Sequence, residues 1–345
     1  MYKTSIHRRS LLKAGGALVV ASLSAPSILR AQTKEIVIGG PAGAAKYFTE
    51  SVFPLLKQKL GVTVLYEGSN SATNLQKMQA DSAAPKFSVV VMDDPIMIKA
   101  ADGGLLMPIS TSGVPNLGKL VAGAVHRDGM WANYQRPWAG IAYNTKSGAP
   151  KAWADMWDKA RAGKIIIPSI QNTEGFWNLL IAAHLETGKP FAEAQYEIDA
   201  GFKKLKSLVP NLLNVYTNAP QAMNLLEQGE AQMIGGQFSA YTLTRKAEGA
   251  PVDLRIPAEG GFAMPSGIAK VKGGPAPELA DAVIDAFLGT EIQAVLAAKA
   301  VVAPTNTDAA IPAGYPDPAS LFAPDWAFVA KERGKWAERW TTELL

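Results

Sequence analysis

Three acidic residues are the side chains of this sequence best suited to bind a charged ligand. Asp93 and Asp94 end an apolar run at residues 88–92, which is typical of a buried strand, and Glu174 lies just before a segment with helical periodicity. A carboxylate at the end of a strand can form a charge-assisted hydrogen bond with an ammonium group. The three residues are therefore compatible with a site for a single amine.

The residue spacings of the common enzyme centres are absent. The histidines His7, His126 and His184 are scattered without a His-x-x-x-His or Glu-x-x-His pair, and the chain has no Cys. No Gly-x-Ser-x-Gly occurs, and the glycine-rich loop at 39–43 lacks the dinucleotide spacing. We expect no catalytic residue, no metal and no cofactor.

Polar and aromatic residues in two parts of the chain complete the candidate site. The pair Gly235 and Gly236 ends a predicted strand, and such a pair lets the backbone approach a ligand closely, which favours the residues after it. The candidate ligand-binding residues are Ser69, Asn70, Asp93 and Asp94, then Asn172, Thr173, Glu174, Gln237 and Ser239, with Trp138, Tyr143, Trp177, Tyr241 and Phe262 as possible aromatic walls.

Several candidates also have a purely structural interpretation. Asp94 can begin a turn or cap a helix. Thr173 can be the N-cap of the following helix, whose free amides could receive an anion. Trp177 and Tyr241 lie in helical patterns, where packing in a core is the commoner outcome. The sequence leaves these alternatives open.

Alternating strand and helix patterns position the first group of candidates. The predicted elements are strands at residues 35–39, 62–66 and 88–92 and helices at 48–60 and 71–82. Such a succession implies an α/β fold with mostly parallel sheets, whose ligands bind beyond the carboxyl ends of the strands. We expect three loops to be neighbours there, at residues 39–44, 67–72 and 93–95.

The later part of the chain continues the alternation and then returns. The predicted elements are an extended crossover at 139–146, a Trp-rich helix at 152–162, a strand at 164–167, helices after Thr173 and at 220–229, strands at 232–235 and 268–271, and a helix opening at Thr290 with Gln293 as a capping box. From about Asp325 the tail is predicted to be helical, with its tryptophans packing across the back of the lobes.

Residues 1–31 have the pattern of an export signal. The run His7-Arg8-Arg9-Ser10-Leu11-Leu12-Lys13 resembles a twin-arginine motif, although an ordinary secretory leader with two arginines is the alternative. The apolar run that follows is too short to span a bilayer. Because no Cys is present for a lipid anchor, we expect cleavage after Ala31 and a protein free in a periplasm, exported through residues 1–31.

Removal of this leader changes the charge. The chain has 34 basic and 30 acidic residues, and five of the basic residues but none of the acidic ones lie in the leader. The mature chain, with 29 basic residues, is therefore close to neutral. We expect no nucleic-acid binding, because that would require a clustered basic face.

Short segments in a consistent order make the chain similar to a known family. They are residues 89–95, Tyr143-Asn144-Thr145-Lys146, Gly229-Glu230-Ala231, residues 259–304 from Glu259-Gly260-Gly261 onward, Pro304-Thr305-Asn306, and the tail with Asp325, Trp326, Trp336, Arg339 and Trp340. The chain resembles type II periplasmic solute-binding proteins of ABC importers, nearest the spermidine/putrescine-binding branch. The resemblance implies two α/β lobes, joined by hinge strands, that close on a small-molecule solute and present it to an inner-membrane permease.

The expected organisation is lobe I at residues 32–137 and 264–311, lobe II at 138–263, and C-terminal helices at 312–345 across both. Polyamine binders of this family hold ammonium groups with carboxylates, but residues 262–266 contain no acid and segment 172–175 contains one where these relatives have two. We expect an amine or polyamine-like solute, with a small anion or zwitterion as the alternative, bound by a monomer. An exported enzyme or scaffold on the same fold is the alternative of another class.

Overall fold

The computed structural model describes residues 34–313, 315–316 and 320–344. The predicted export signal at 1–31, with its twin-arginine motif, lies outside the described residues. Within the described ranges, no helix is long and apolar enough to cross a membrane.

The strands of the described chain form two sheets. They are β1 (Lys34–Pro41), β2 (Val62–Ser69), β3 (Val89–Asp93), β4 (Leu106–Met107), β5 (Val125–His126), β6 (Trp131–Gln135), β7 (Trp138–Asn144), β8 (Ile165–Pro168), β9 (Leu212–Tyr216), β10 (Met233–Phe238), β11 (Val252–Arg255), β12 (Gly261–Ala263), β13 (Ser266–Val271) and β14 (Leu321–Phe322).

Helices cover the faces of these sheets. They are α1 (Ala45–Tyr47), continued by a π-helical turn at Phe48–Val52, α2 (Phe53–Leu60), α3 (Ser71–Ala80), α4 (Asp94–Asp102), α5 (Gly175–Thr187), α6 (Phe191–Ala194), α7 (Ile198–Lys206), α8 (Ala219–Gln228), α9 (Ser239–Ala247), α10 (Pro277–Leu288), α11 (Thr290–Lys299) and α12 (Trp326–Glu343).

Each sheet belongs to one lobe, and both sheets are mixed. The first-lobe sheet has the order β2-β1-β3-β13-β6-β5 with β4 beside β13, and the second-lobe sheet has the order β14-β12-β7-β10-β8-β9 with β11 beside β7. Parallel pairing joins β2, β1 and β3 in the first lobe and β10, β8 and β9 in the second, while β13 and β7 pair antiparallel with their neighbours. The predicted two-lobed α/β fold is confirmed, with sheets that are only partly parallel.

The chain crosses between the lobes where one sheet ends and the other begins. Arg136 and Pro137 connect β6 to β7, and Met264 and Pro265 connect β12 back to β13. Helix α12 packs on α4 of the first lobe, while its Trp336 is buried in the core of the second. The C-terminal helix therefore contacts both lobes.

Strand β3, which contains most of the apolar run at 88–92, is buried on both faces of its sheet. Val89 and Val91 pack into one core of the first lobe, and Val90 and Met92 pack into the core on the opposite face of the sheet. A strand covered by helices on both faces reads as a continuous apolar run. Asp93 is the first residue beyond this double burial, at the carboxyl end of the strand.

Two local predictions were wrong. Residues 152–162 form two short 3-10 segments, Trp153–Trp157 and Lys159–Arg161, because Asp158 between them is extended and its side chain caps Ala160. Helix α11 does begin at Thr290, as predicted, but its N-cap residue is Gly289, so Thr290 and Gln293 form no capping box. Gln293 instead donates to the carbonyl oxygens of Phe287 and Tyr134 inside the core.

Candidate functional site

A cavity of about 290 Å³ lies between the two lobes at the carboxyl ends of β1, β2, β3 and β10. The loops at 39–44, 67–72 and 93–95 all contribute to its wall, as the order of strands predicts. Its polar lining comes from both lobes: Tyr47, Ser69, Asn70, Ser71, Asp93 and Gln135 from the first, and Asn172, Thr173, Glu174, Thr217, Asn218 and Tyr241 from the second.

The structure brings seven of the sequence-predicted residues to this cavity. They are Ser69, Asn70, Asp93, Asn172, Thr173, Glu174 and Tyr241. Asn70 also caps α3, because its side chain accepts a hydrogen bond from the Thr73 amide at 2.7 Å. The remaining seven predicted residues lie elsewhere.

Asp93 is the carboxylate that the first lobe contributes. Its Oδ2 accepts a hydrogen bond from Ser71 Oγ at 2.9 Å, and its side chain also bonds with Thr173 of the opposite lobe. Burial between the lobes raises the pKa of Asp93, while the bonds from Thr173 and Ser71 and the charge of Arg333 oppose that rise. Asp93 therefore faces the cavity and joins the two lobes.

Glu174 is the carboxylate that the second lobe contributes, and it is 6% exposed. Its Oε1 accepts hydrogen bonds from the Tyr216 hydroxyl at 3.2 Å and from Asn172 Nδ2 at 3.3 Å. Burial, reinforced by the negative charge of Asp93, raises the pKa of Glu174 to about 7. Glu174 can thus gain or lose a proton near neutral pH.

Thr173 differs from its predicted role as a helix cap. Helix α5 begins at Gly175, and the residue at its N-cap position is Glu174, which is itself helical in its backbone angles and makes no side-chain cap. The Thr173 side chain instead bonds with Asp93 across the cleft. The alternative that placed Thr173 at the site is therefore the one that the geometry favours.

Tyr241 closes the cavity against the first lobe. A Cβ atom added at Gly43 would lie only 2.2 Å from Cε1 of Tyr241, so the tyrosine ring rests directly on the glycine backbone. Tyr241 also packs against the apolar cores of both lobes. Farther out, Lys46 Nζ forms an exposed ion pair with Glu248 Oε1 at 2.6 Å, again between the lobes. The two lobes are therefore in contact around the cavity.

Asp94 lies beside the site but faces the interior of the first lobe. Its Oδ1 accepts hydrogen bonds from Trp131 Nε1 at 3.0 Å and from Asn133 Nδ2 at 2.8 Å. Burial raises the pKa of Asp94 to about 6, although the nearby His126 opposes the rise. Helix α4 begins at Asp94, so this residue has the structural role of starting a helix. Asp94 does not line the cavity.

Trp138 and Ser239 lie at the crossover between the lobes. The Trp138 amide donates to Ser239 Oγ at 3.3 Å, and that hydroxyl donates to the Val301 carbonyl oxygen at 3.2 Å. The Trp138 ring packs edge-on against Tyr315, with ring centroids 4.6 Å apart. Neither residue lines the cavity.

The last four predicted residues are inside or behind the second lobe. Phe262 is fully buried and stacks on Trp177, with centroids 5.5 Å apart, so both aromatic residues belong to the core. Gln237 is fully buried, and its Oε1 accepts from the amide of Phe238 at 2.9 Å. Tyr143 lies in β7 beside Asp253 of β11, away from the cavity.

Sequence reasoning missed several residues of the site. Asn218 caps α8 by accepting from the Gln221 amide at 3.2 Å, and its position before Ala219 and Pro220 is a helix-start signal that could have identified it. Tyr47, Ser71, Gln135 and Thr217 also line the cavity, and Arg333 lies behind it. No spacing in the sequence distinguishes these from other polar residues. Among the described residues, no cluster of three or more His, Asp or Glu side chains could hold a metal ion.

Comparison with known proteins places this cavity in context. The sequence model of the bacterial extracellular solute-binding protein family matches residues 84–332. No curated protein matches the sequence.

Solved structures of several periplasmic binding proteins have the same fold. The periplasmic binding protein AfuA from Actinobacillus pleuropneumoniae, with fructose-6-phosphate bound, has a TM-score of 0.74 at 22% identity, and the match covers 90% of this chain and 98% of that one. MotA from A. tumefaciens B6, in complex with glucopine, has a TM-score of 0.76 at 19% identity, covering 90% and 100%. A periplasmic thiamin binding protein has a TM-score of 0.75 at 16% identity, covering 90% and 96%. At these identities the likeness concerns the fold.

Proposed function

The chain belongs to the bacterial extracellular solute-binding protein family, a class of solute-binding proteins of ABC transporters, and we propose that it captures a small amine by closure of its two lobes. The resemblance found in the sequence is thereby confirmed at the level of the family. The structural relatives carry a sugar phosphate, an opine and thiamin. Since one fold serves several ligands, the solute has to be argued from the cavity itself.

The observation that carries the proposal is the pair of carboxylates that face one cavity from opposite lobes. The negative charge of Asp93 adds to burial in raising the pKa of Glu174, so the two carboxylates repel each other across a poorly hydrated cavity. An ammonium group between them would relieve this repulsion and would receive a charge-assisted hydrogen bond from each lobe. Because each lobe supplies one acceptor, such a solute would favour the closed arrangement over an open one.

The size and remaining lining of the cavity also suit a small amine. Its volume of about 290 Å³ is at or below the lower end of the range of about 300–1,000 Å³ that is typical of small-molecule sites. Tyr47 and Tyr241 present aromatic rings to the cavity, and such rings attract cations. Asn70 and Asn172 offer amide groups that can fix the orientation of the solute.

A small anion or zwitterion is the second candidate, and the convergence of helix starts favours it. Helices α3 and α8 begin at the cavity, at Ser71 and Ala219, and the first amides of a helix attract negative charge. A solute with both charges could place its amine near Glu174 and its acid near these amides. The two carboxylates disfavour a solute that is only an anion, because it would have to approach like charges.

The family also suggests where the protein works and what happens to the bound solute. We propose that the mature protein is a monomer in a periplasm, exported through residues 1–31 without a lipid anchor, and that it delivers its solute to an ABC permease in the inner membrane. Lobe I is proposed to comprise residues 32–137 and 264–311, lobe II residues 138–263, and the segment 312–345 to bridge them. No step of this cycle requires covalent chemistry, so we propose no enzymatic activity for the chain.

A thermal-shift screen of the mature protein tests the proposed solute. The panel contains butylamine, putrescine, a neutral amino acid, inorganic phosphate and thiamin. A bound solute at a hundred times its dissociation constant stabilises the protein by about 2.7 kcal/mol, which is readily detected. We expect butylamine or putrescine to raise the melting temperature. A shift with phosphate but with no amine would contradict the amine and favour the anion, and turnover of a solute without any shift would contradict the binding role.

A further inference from the structure

Arg333 is a buried cation directly behind the carboxylate of the second lobe. It lies in α12 and is 7% exposed, which is uncommon for an arginine. Its Nε donates to the Ile170 carbonyl oxygen at 3.0 Å, and its Nη2 donates to the Gln171 carbonyl oxygen at 2.6 Å. These two residues immediately precede the loop 172–174, which lines the cavity. Arg333 therefore holds the backbone from which Glu174 projects.

The charge of this arginine is not neutralised by a direct ion pair. Within the described residues, Arg333 has no carboxylate oxygen within 4.0 Å of its nitrogen atoms, and its buried Nη1 has no hydrogen-bond partner. The positive charge instead acts at longer range on Glu174 and Asp93, and it opposes the rise of the pKa of both. Burial of an unpaired charge is costly, so its neighbours must compensate for it.

We propose that Arg333 is a positioning residue that offsets one of the two carboxylates and thereby selects a solute with one positive charge over a solute with two. This inference rests on the proposed amine site. With Asp93 and Glu174 ionised and Arg333 protonated, the three side chains leave one net negative charge at the cavity. A monoamine neutralises that charge, whereas a diamine would leave an excess positive charge in a poorly hydrated site.

The charged and titratable groups around Glu174 come from four elements. They are Asp93 at the end of β3, Tyr216 of β9, Tyr241 of α9 and Arg333 of α12. Lys99 of α4 in turn feels the charge of Arg333, which lowers its pKa after the larger effect of burial. Arg333 is the positive charge in this set that acts on Glu174, so its removal is expected to raise the pKa of Glu174 further.

The test compares two amines of equal chain length, butylamine and putrescine, by titration calorimetry of the full mature protein. The variant Arg333→Met removes the charge at similar length, and Arg333→Lys keeps the charge but loses the two-pronged contact with the carbonyls. We expect the wild type to prefer butylamine. In Arg333→Met the preference should move toward putrescine by roughly tenfold, and the pH at which butylamine affinity reaches half its maximum should rise by about one unit.

Arg333→Lys serves as the matched variant, because it should retain the wild-type preference and pH midpoint even if its affinity falls. A loss of packing alone would weaken both amines equally and would leave the midpoint unchanged. Putrescine binding the wild type at least about tenfold more tightly than butylamine would overturn the inference while the proposed amine site stands. Failure of both amines to bind the wild type would overturn the proposed solute together with this inference.

Discussion

The two lobes present carboxylates of the same kind to the cavity in different surroundings. Asp93 of the first lobe ends a strand, keeps partial exposure toward the cavity, and accepts hydrogen bonds from the hydroxyls of Ser71 and Thr173. Glu174 of the second lobe is almost fully buried and lies beside Tyr216, Asn172 and the charge of Arg333.

This difference indicates a division of roles. Burial raises the pKa of Asp93, but its two hydroxyl donors, Ser71 and Thr173, oppose that rise by stabilising the charged form. The pKa of Glu174, about 7, means that the second lobe supplies a charge that depends on pH and on the solute. The strength with which the closed form holds a cation should therefore be set mainly by the second lobe.

The largest expected effect is on amine affinity when the charge of Glu174 is removed. Glu174→Gln keeps the size of the side chain but cannot form an ion pair with an ammonium group, so butylamine affinity at about pH 8 should fall roughly a hundredfold. At about pH 5.5, where the wild-type residue is itself protonated, the two proteins should differ by less than about threefold. Titration calorimetry at both pH values measures this.

The matched control for this substitution is Glu186→Gln, on an exposed ion pair with Lys203 in the same lobe. It should leave amine affinity unchanged at both pH values. An equal loss for Glu174→Gln at the two pH values would show that its charge is not what binds the solute.

The second effect is on stability without solute. The folded chain raises the pKa of Glu174 from its ordinary 4.5 to about 7, so the folded state binds the proton more tightly than the unfolded state does. The contribution of protonated Glu174 to the free energy of unfolding is therefore fully present below about pH 4.5 and is lost as the pH rises toward about 7. Glu174→Gln should relieve this loss and raise the free energy of unfolding at about pH 8 by about 2–3 kcal/mol.

Urea denaturation of both proteins at about pH 4.5 and pH 8 measures that difference. Glu186→Gln again provides the control, because its partner is exposed and its removal should not produce a gain that grows with pH. If the Glu174→Gln protein were less stable than the wild type at about pH 8, the ionised form of Glu174 would not be destabilising, which would contradict the repulsion between the two carboxylates.

A smaller effect is expected where the lobes touch. Gly43→Ala places a methyl group against the Tyr241 ring, where the calculated Cβ position is 2.2 Å from Cε1, so the lobes cannot close fully. Amine affinity should fall by roughly tenfold without a comparable loss of stability in denaturant. Gly118→Ala is the matched control, since a Cβ there meets no atom within 4 Å and affinity should be retained. Equal affinity of the two variants would mean that this contact does not limit closure.

The smallest effect is expected from the exposed ion pair between the lobes. Lys46→Ala removes the contact with Glu248, but exposed pairs are well hydrated and screened by salt. Amine affinity should change by less than about threefold, and the change should disappear at about 1 M salt. A large loss of affinity that persists at about 1 M salt would show that the pair Lys46 and Glu248, rather than the buried carboxylates, controls amine binding.

The sequence was sufficient to place a residue at the cavity where a local pattern determines the position of that residue in the fold. The apolar run before Asp93 identifies a doubly buried strand, and the carboxyl end of such a strand is where α/β folds bind ligands. The same rule brings Ser69 and Asn70 to the site from the end of β2. The loop around Glu174 lies at the corresponding end of β8, and for that reason its three polar residues also line the cavity.

The sequence did not identify site residues correctly where membership of the site depends on the direction of a side chain or on a distant segment of the chain. Gly236 has a φ of +69°, and the pairing of β10 with β7 shifts register next to it, so Gln237 turns inward rather than toward the cavity. Phe262 and Trp177 find each other in the core through tertiary packing that no local pattern encodes. Arg333 reaches the site from a helix more than a hundred residues after Glu174, and only the folded chain reveals that proximity.

In the proposed site two carboxylates from opposite lobes hold an amine, and Glu174 is the one that titrates. Measuring butylamine affinity of the wild-type protein across about pH 5.5–8.5 tests this most directly, because the amine itself stays protonated throughout that range. We expect the affinity to rise about tenfold per pH unit at first and then to level off above the pKa of Glu174. An affinity that is independent of pH, or that falls as the pH rises, would contradict it.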